Sequence, residues 1–157
     1  MKYVFAIVDD NGAMRLVAKN ITKRWMSQRA DINGELIEFE SGEAVLDWYQ
    51  SERLKDQQTC YLFIMDYNMP GMNGLDTANA LRGMSHSTLL RIYGFSAEYF
   101  LFQEENRSRK TAAAGVDLKS FNDFLAKTPI VPGEWPQKLD SFVEEWRHRM
   151  ESVVLDR

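Results

Sequence analysis

Tyr61-Leu62-Phe63-Ile64-Met65-Asp66-Tyr67-Asn68-Met69-Pro70-Gly71-Met72-Asn73-Gly74 is the stretch that decides the architecture. Its first five residues are continuously apolar or aromatic, which suits a short strand buried on both faces of a parallel sheet. Pro70, Gly71 and Gly74 then stop the strand and turn the chain. Asp66 therefore stands at the carboxyl end of a buried strand, where open α/β sheets place their chemistry.

Working outward, Tyr3–Val8 is a second apolar run, ended by Asp9-Asp10-Asn11-Gly12. Met14, Val17, Ala18, Ile21 and Trp25 follow at helical spacing. Asn33-Gly34 marks a loop, and Leu36–Phe39 is a short strand. Ser41 is an N-cap for a helix carrying Ala44, Val45, Trp48 and Tyr49. Beyond Gly74, Leu75, Ala78 and Leu81 predict a helix ending near Gly83. Leu89–Phe95 is a fourth strand with Ser96 at its carboxyl end. A helix is expected from Tyr99 to Ala114, then a weak fifth strand at Val116–Lys119. Residues 122–136, with Pro129, Pro132 and Pro136, read as an enlarged loop, as does the polar segment 51–60. Leu139, Phe142, Val143, Trp146 and Met150 mark a final amphipathic helix.

Alternation of strands and helices implies a parallel sheet covered on both faces. The expected fold is α/β, a flavodoxin-like (βα)5 doubly wound sandwich with a five-stranded parallel sheet in the order 2-1-3-4-5. The 157 residues suit one domain, 1–157, with no separate output domain.

Composition narrows the function. Apolar content of 45% and charged content of 27% are those of a soluble globular chain. A net charge of −4 argues against nucleic acid or an anionic membrane as main partner. One cysteine and two histidines leave no disulfide framework and no thiolate or histidine metal cluster. A reducing, cytoplasmic setting is expected, with neither a signal peptide nor a membrane span.

Four predicted strand ends carry polar groups: Asp9-Asp10, Asp66, Ser96 and Lys119. In a parallel sheet these ends converge on one edge. Clustered carboxylates bind Mg²⁺, and an aspartate beside the ion is a nucleophile toward phosphorus. A hydroxyl and an ammonium would stabilise phosphoryl charge. Two other acidic motifs fail. A calcium loop beginning at Asp66 would have Pro70 at its fifth position and Thr77 at its twelfth, where Glu is needed. A haloacid-dehalogenase-type pair would need Asp two after Asp9, where Asn11 stands.

With these residues in place the chain resembles a two-component response-regulator receiver domain. The match is carried by Asp9-Asp10, by Asp66 with its Pro-Gly turn, by Ser96-Ala97 and by Lys119. Ser96 follows Asp66 by 30 positions (96 − 66), and Lys119 follows Ser96 by 23 (119 − 96), close to the family's usual spacing. Met14-Arg15, Asn68 and Glu98 bring it nearest the stand-alone chemotaxis (CheY-like) type.

The resemblance implies that Asp66 accepts a phosphoryl group from a histidine kinase or phosphotransfer protein. It implies Mg²⁺ held by Asp9, Asp10, Asp66 and the backbone carbonyl of Asn68, with Ser96 and Lys119 on the phosphoryl oxygens. Such a protein is a signalling phosphoacceptor rather than an enzyme, a monomer or weak homodimer with no DNA-binding domain and an unnamed downstream protein target. Asn68 and Glu98 beside the acyl phosphate imply a short-lived phosphoryl state. Two positions depart from the family pattern. Ser120 follows Lys119 where proline is usual, and Val116 stands where a switching aromatic is usual. They motivate a second expectation, a constitutive protein-interaction module on a receiver scaffold.

Overall fold

The computed structural model describes residues 1–55, 58–84, 90–97, 118–127 and 129–155. The elements run β1 (Lys2–Val8), α1 (Gly12–Ser27), β2 (Asn33–Phe39), α2 (Gly42–Glu52), β3 (Thr59–Asp66), α3 (Gly74–Met84), β4 (Leu90–Ser96), β5 (Asp123–Ala126) and α4 (Glu134–Leu155). The strands form one sheet in the order β2-β1-β3-β4-β5. Every adjacent pair is parallel. This is the expected flavodoxin-like arrangement, with β1 and β3 at its centre.

Strand pleating sends alternate side chains to opposite faces, so each central strand feeds two cores. Val4, Ala6, Val8, Tyr61, Phe63 and Met65 pack with Val45 and Tyr49 of α2 and with Ala78 and Leu81 of α3. Tyr3, Phe5, Ile7, Leu62 and Ile64 pack with Ala18 and Trp25 of α1 and with Trp135, Leu139, Phe142 and Trp146 of α4. All eight residues of β3 are buried. Full burial of a large apolar side chain contributes about 1.5–3 kcal/mol, so this strand anchors both layers and fixes where Asp66 emerges.

Local chemistry sets the helix starts. Asn11 caps α1, its side chain accepting from the amides of Ala13 and Met14. Ser41 caps α2 as expected, accepting from the Ala44 amide at 3.1 Å. In α1 the buried stripe is Ala18, Thr22 and Trp25, while Val17 lies 38% exposed. Thr22 hides its hydroxyl by donating to the Ala18 carbonyl at 2.8 Å, which is how a polar residue takes a core position.

The fifth strand is a correction. It forms at Asp123–Ala126, inside the segment read as an enlarged loop, and not at Val116–Lys119. The breakers Pro129, Pro132 and Pro136 all lie downstream of this four-residue strand and obscure it in the sequence. Leu118 is buried, whereas Lys119 is exposed in the turn that returns the Phe121 amide to the Leu118 carbonyl. Phe124 is held inside because Gly94 leaves room for its ring: a β-carbon at Gly94 would lie 2.5 Å from Phe124 Cδ1. The helix expected at 99–114, and Val116 with it, lie outside the described residues.

α4 also begins earlier than the apolar periodicity suggests. Pro136 sits in its first turn, where the missing N–H costs nothing. Trp135, just before it, is fully buried against Phe95 with ring centroids 5.6 Å apart. Trp135 is therefore part of the core.

Candidate functional site

The carboxyl ends of β1, β3, β4 and β5 meet at one sheet edge, and each delivers a polar group. Asp9 follows β1 and is completely buried; Asp66 ends β3 and is 3% exposed. One carboxylate oxygen from each of Asp9, Asp10 and Asp66 lies within 4.8 Å of the others. Ser96, which is buried, ends β4 one residue beyond the partner of Asp66 in the register.

Among the described residues, the ammonium at this edge is Lys127, directly after β5. Its Nζ stands 2.8 Å from Asp9 Oδ2 and 3.0 Å from Asp66 Oδ1. Lys119 does not take this place. It precedes the amino end of β5, and in a parallel sheet that end is opposite the acids. Apolar Phe124-Leu125-Ala126 running into a lysine was the available signal, the same pattern as the run into Asp66. With Lys127 as the site lysine, the residue three before it is Phe124, a buried aromatic, in place of Val116.

Several bonds fix the acids. Asp9 Oδ1 accepts from the Asn11 amide at 2.8 Å, and the Asp9 carbonyl accepts from Arg15 Nη1 at 2.7 Å. Arg15 is itself held between Glu38 and Glu40, each at 3.6 Å. The Asn68 amide reaches Asp66 Oδ1 at 3.3 Å. Beyond it the loop is closed by the Gly74 amide on the Tyr67 carbonyl and by the Met72 amide on Glu43 Oε1. Gly74 must be glycine here, since a β-carbon would stand 2.1 Å from the Asp66 carbonyl oxygen.

The electrostatics follow from burial. Desolvation first, then the neighbouring Asp9 charge, push the Asp66 carboxyl up to about 7, against the pull of Lys127. Burial opposes the charge on Lys127, but its ion pairs with Asp9 and Asp66 together outweigh burial and raise its pKa. Asp66 Oδ2 is buried with no hydrogen-bond partner among the described residues. Asp9 Oδ2 has the Lys127 ion pair but no well-directed hydrogen bond. Carboxylate oxygens from three acids form a donor set suited to a hard divalent cation, and a buried oxygen without a hydrogen-bond partner fits such a ligand. Under the Lys127 ammonium lies the Phe95 ring, 5.3 Å to its centroid.

A parallel five-stranded sheet with acids and a lysine at its carboxyl edge defines the class: a flavodoxin-like α/β fold with a charged site at its strand ends. The family model described as the response regulator receiver domain matches residues 5–128, and the chain belongs to that family. It is a receiver domain of two-component signalling.

Solved structures share the fold. A CheY-like receiver domain protein from Methanospirillum hungatei JF-1 matches with a TM-score of 0.61 at 21% identity, covering 93% of this chain and 98% of that one. The chemotaxis protein CheY4 of Vibrio cholerae matches at 0.57 and 22% identity, covering 90% and 98%. The receiver domain of the Arabidopsis thaliana histidine kinase CKI1, in complex with Mg²⁺ and BeF3⁻, matches at 0.59 and 19% identity, covering 90% and 89%. No curated protein matches the chain. Among the described residues, no helix is long and apolar enough to cross a membrane.

Proposed function

We propose that the chain is a phosphoacceptor whose nucleophile is Asp66. The observation that carries this reading is a buried carboxylate with one oxygen held by Lys127 and the other without a hydrogen-bond partner, beside two further acids. The donor is a phosphohistidine on a histidine kinase or phosphotransfer protein. The P–N bond to histidine breaks, a P–O bond to Asp66 forms, and the imidazole leaves with the electron pair.

Asp9, Asp10, Asp66 and the Asn68 backbone carbonyl are the groups that would hold Mg²⁺. When bound, the ion neutralises carboxylate charge and the charge developing on the phosphoryl oxygens. The chain's own residues do the rest. Lys127 pairs with a phosphoryl oxygen in place of the Asp9 and Asp66 oxygens that it now holds. Ser96 donates its hydroxyl to a second phosphoryl oxygen. Asn11 and Arg15 keep Asp9 from turning away.

Phosphorylation draws on Ser96 and Lys127 together, and these end the two strands on one side of the sheet. The modified protein then favours a conformation with altered β4, β5 and adjoining surface, which a downstream protein reads. A partner must bind the two states differently for this to signal. A cytoplasmic setting belongs to the same reading. Phe124 at the aromatic position removes the ground that Val116 lent to a constitutive module. Incubation with Mg²⁺ and acetyl phosphate is expected to add one phosphate by mass, absent in Asp66→Asn. No adduct on the wild-type protein overturns the proposal.

A further inference from the structure

β5 is a four-residue strand at the edge of the sheet, and Lys127 follows it directly. Its last step is regular: Ser96 stands opposite Ala126, and the Ser96 carbonyl accepts the Lys127 amide at 2.9 Å. Phe39, opposite Val8, accepts the Asp9 amide in the same way. The amides of Phe124 and Ala126 therefore face away from β4, on the open side of the sheet, where an edge strand needs other partners.

The outward Ala126 amide is taken by Glu134 Oε1 at 2.8 Å, reaching back from the first turn of α4. One helical turn later, Lys138 Nζ donates to Asp123 Oδ1 at 2.9 Å and to the Phe124 carbonyl. The outer side of β5 is thus bonded to α4 by an acid at its last residue and a base before it. Lys127 also bridges to Ile130 across the turn that leads to α4. Trp135, the neighbour of Glu134, packs on the Phe95 ring that lies under the ammonium.

We infer that Glu134 is a positioning residue for Lys127: by accepting the Ala126 amide it fixes the end of β5, from which the ammonium reaches Asp9 and Asp66. The inference rests on the reading of Lys127 as the phosphoryl-site ammonium. It also answers how this chain holds that lysine when the next residue is Thr128 and not proline. Glutamate is needed only as an acceptor, so Glu134→Gln keeps the function and Glu134→Ala loses it.

The test is trace acetylation of lysines in chelator, read by peptide mass spectrometry. Lys127 in the wild type and in Glu134→Gln should label slowly. In Glu134→Ala, Lys127 labelling should rise about fivefold or more, with Lys2 unchanged, because loss of the acceptor for the Ala126 amide loosens the end of the edge strand. Glu134→Asp, one methylene shorter, should show the same direction and covers the case in which the alanine variant does not fold. Equal Lys127 labelling across the folded variants overturns the inference.

Phosphorylation by acetyl phosphate supplies a second readout. Glu134→Ala should slow it in the wild-type background and have no further effect in Lys127→Met, since coupled residues are non-additive. The same slowing in both backgrounds also overturns the inference. If the wild-type protein takes up no phosphate, the proposed function fails, and labelling still decides the role of Glu134.

Discussion

The ends of β3 and β5 make an instructive pair. Each is an apolar run that stops at the residue carrying the charge, Asp66 in one case and Lys127 in the other. β3 has eight residues, all buried, with paired strands on both sides. β5 has four, lies at the sheet edge, and takes part of its bonding from α4 side chains. A central strand places its last residue by many local constraints at once. An edge strand this short is placed by what packs on it. The site therefore joins one group set by its own segment to one set by its neighbours.

The comparison breaks most sharply at Asp66. Asp66→Asn should abolish phosphate uptake while the fold remains, as judged by mass spectrometry and circular dichroism. A variant that still gains phosphate at another residue would show that the central strand end is not the acceptor.

Next in size is the lysine. Lys127→Met should slow phosphorylation by roughly a hundredfold, the scale of losing one preorganised charge-stabilising group. Lys119→Met should leave the rate within about twofold, as for surface changes that cost under 0.5 kcal/mol. The reverse ranking would restore the earlier placement of the fifth strand.

Gly74→Ala tests the β3 end by packing. Its β-carbon would meet backbone atoms, Asp66 O at 2.1 Å and Tyr67 Cα at 2.8 Å, which cannot rotate aside. A loss of about 3 kcal/mol is expected in urea denaturation, the upper range for overpacking. A loss near zero would mean that the turn after Asp66 is looser than its bonds indicate.

The smallest effect lies where α4 grips β4. Arg91 is buried in β4 and forms an ion pair with Glu145, stacking also over Trp146. The Arg91 hydrogen bond holds the Glu145 carboxyl below its ordinary value of 4.5. A carboxylate with a depressed folded pKa adds stability above its unfolded pKa and loses it as pH falls through the folded one. Glu145→Gln should thus be less stable than wild type at pH 7, with the gap closing below about pH 4. A gap that persists at pH 3 would assign the loss to packing and not to charge.

Much of the architecture was legible along the chain because burial writes itself as continuous apolar runs. Tyr3–Val8 and Tyr61–Met65 could be little else than central parallel strands, and each delivers its acid to the expected edge. Ser41 was legible as a cap because capping is a bond between near neighbours. Lys119 was misread for the opposite reason. Its spacing from Ser96 matched a familiar interval, while the true strand was only four residues long and was followed by prolines. Val17 failed similarly: helical spacing marks a face, but how far around the helix the core reaches depends on α4.

By itself the sequence determined the parallel sheet, its strand order and the meeting of Asp9, Asp10, Asp66 and Ser96. Those follow from hydrophobic runs, handedness and strand polarity, which are properties of segments. Only the tertiary structure decided which lysine joins them. That choice rests on the pairing of a four-residue edge strand with β4, an amide taken by Glu134 and a ring over Gly94, contacts between residues far apart in the chain that no local pattern encodes.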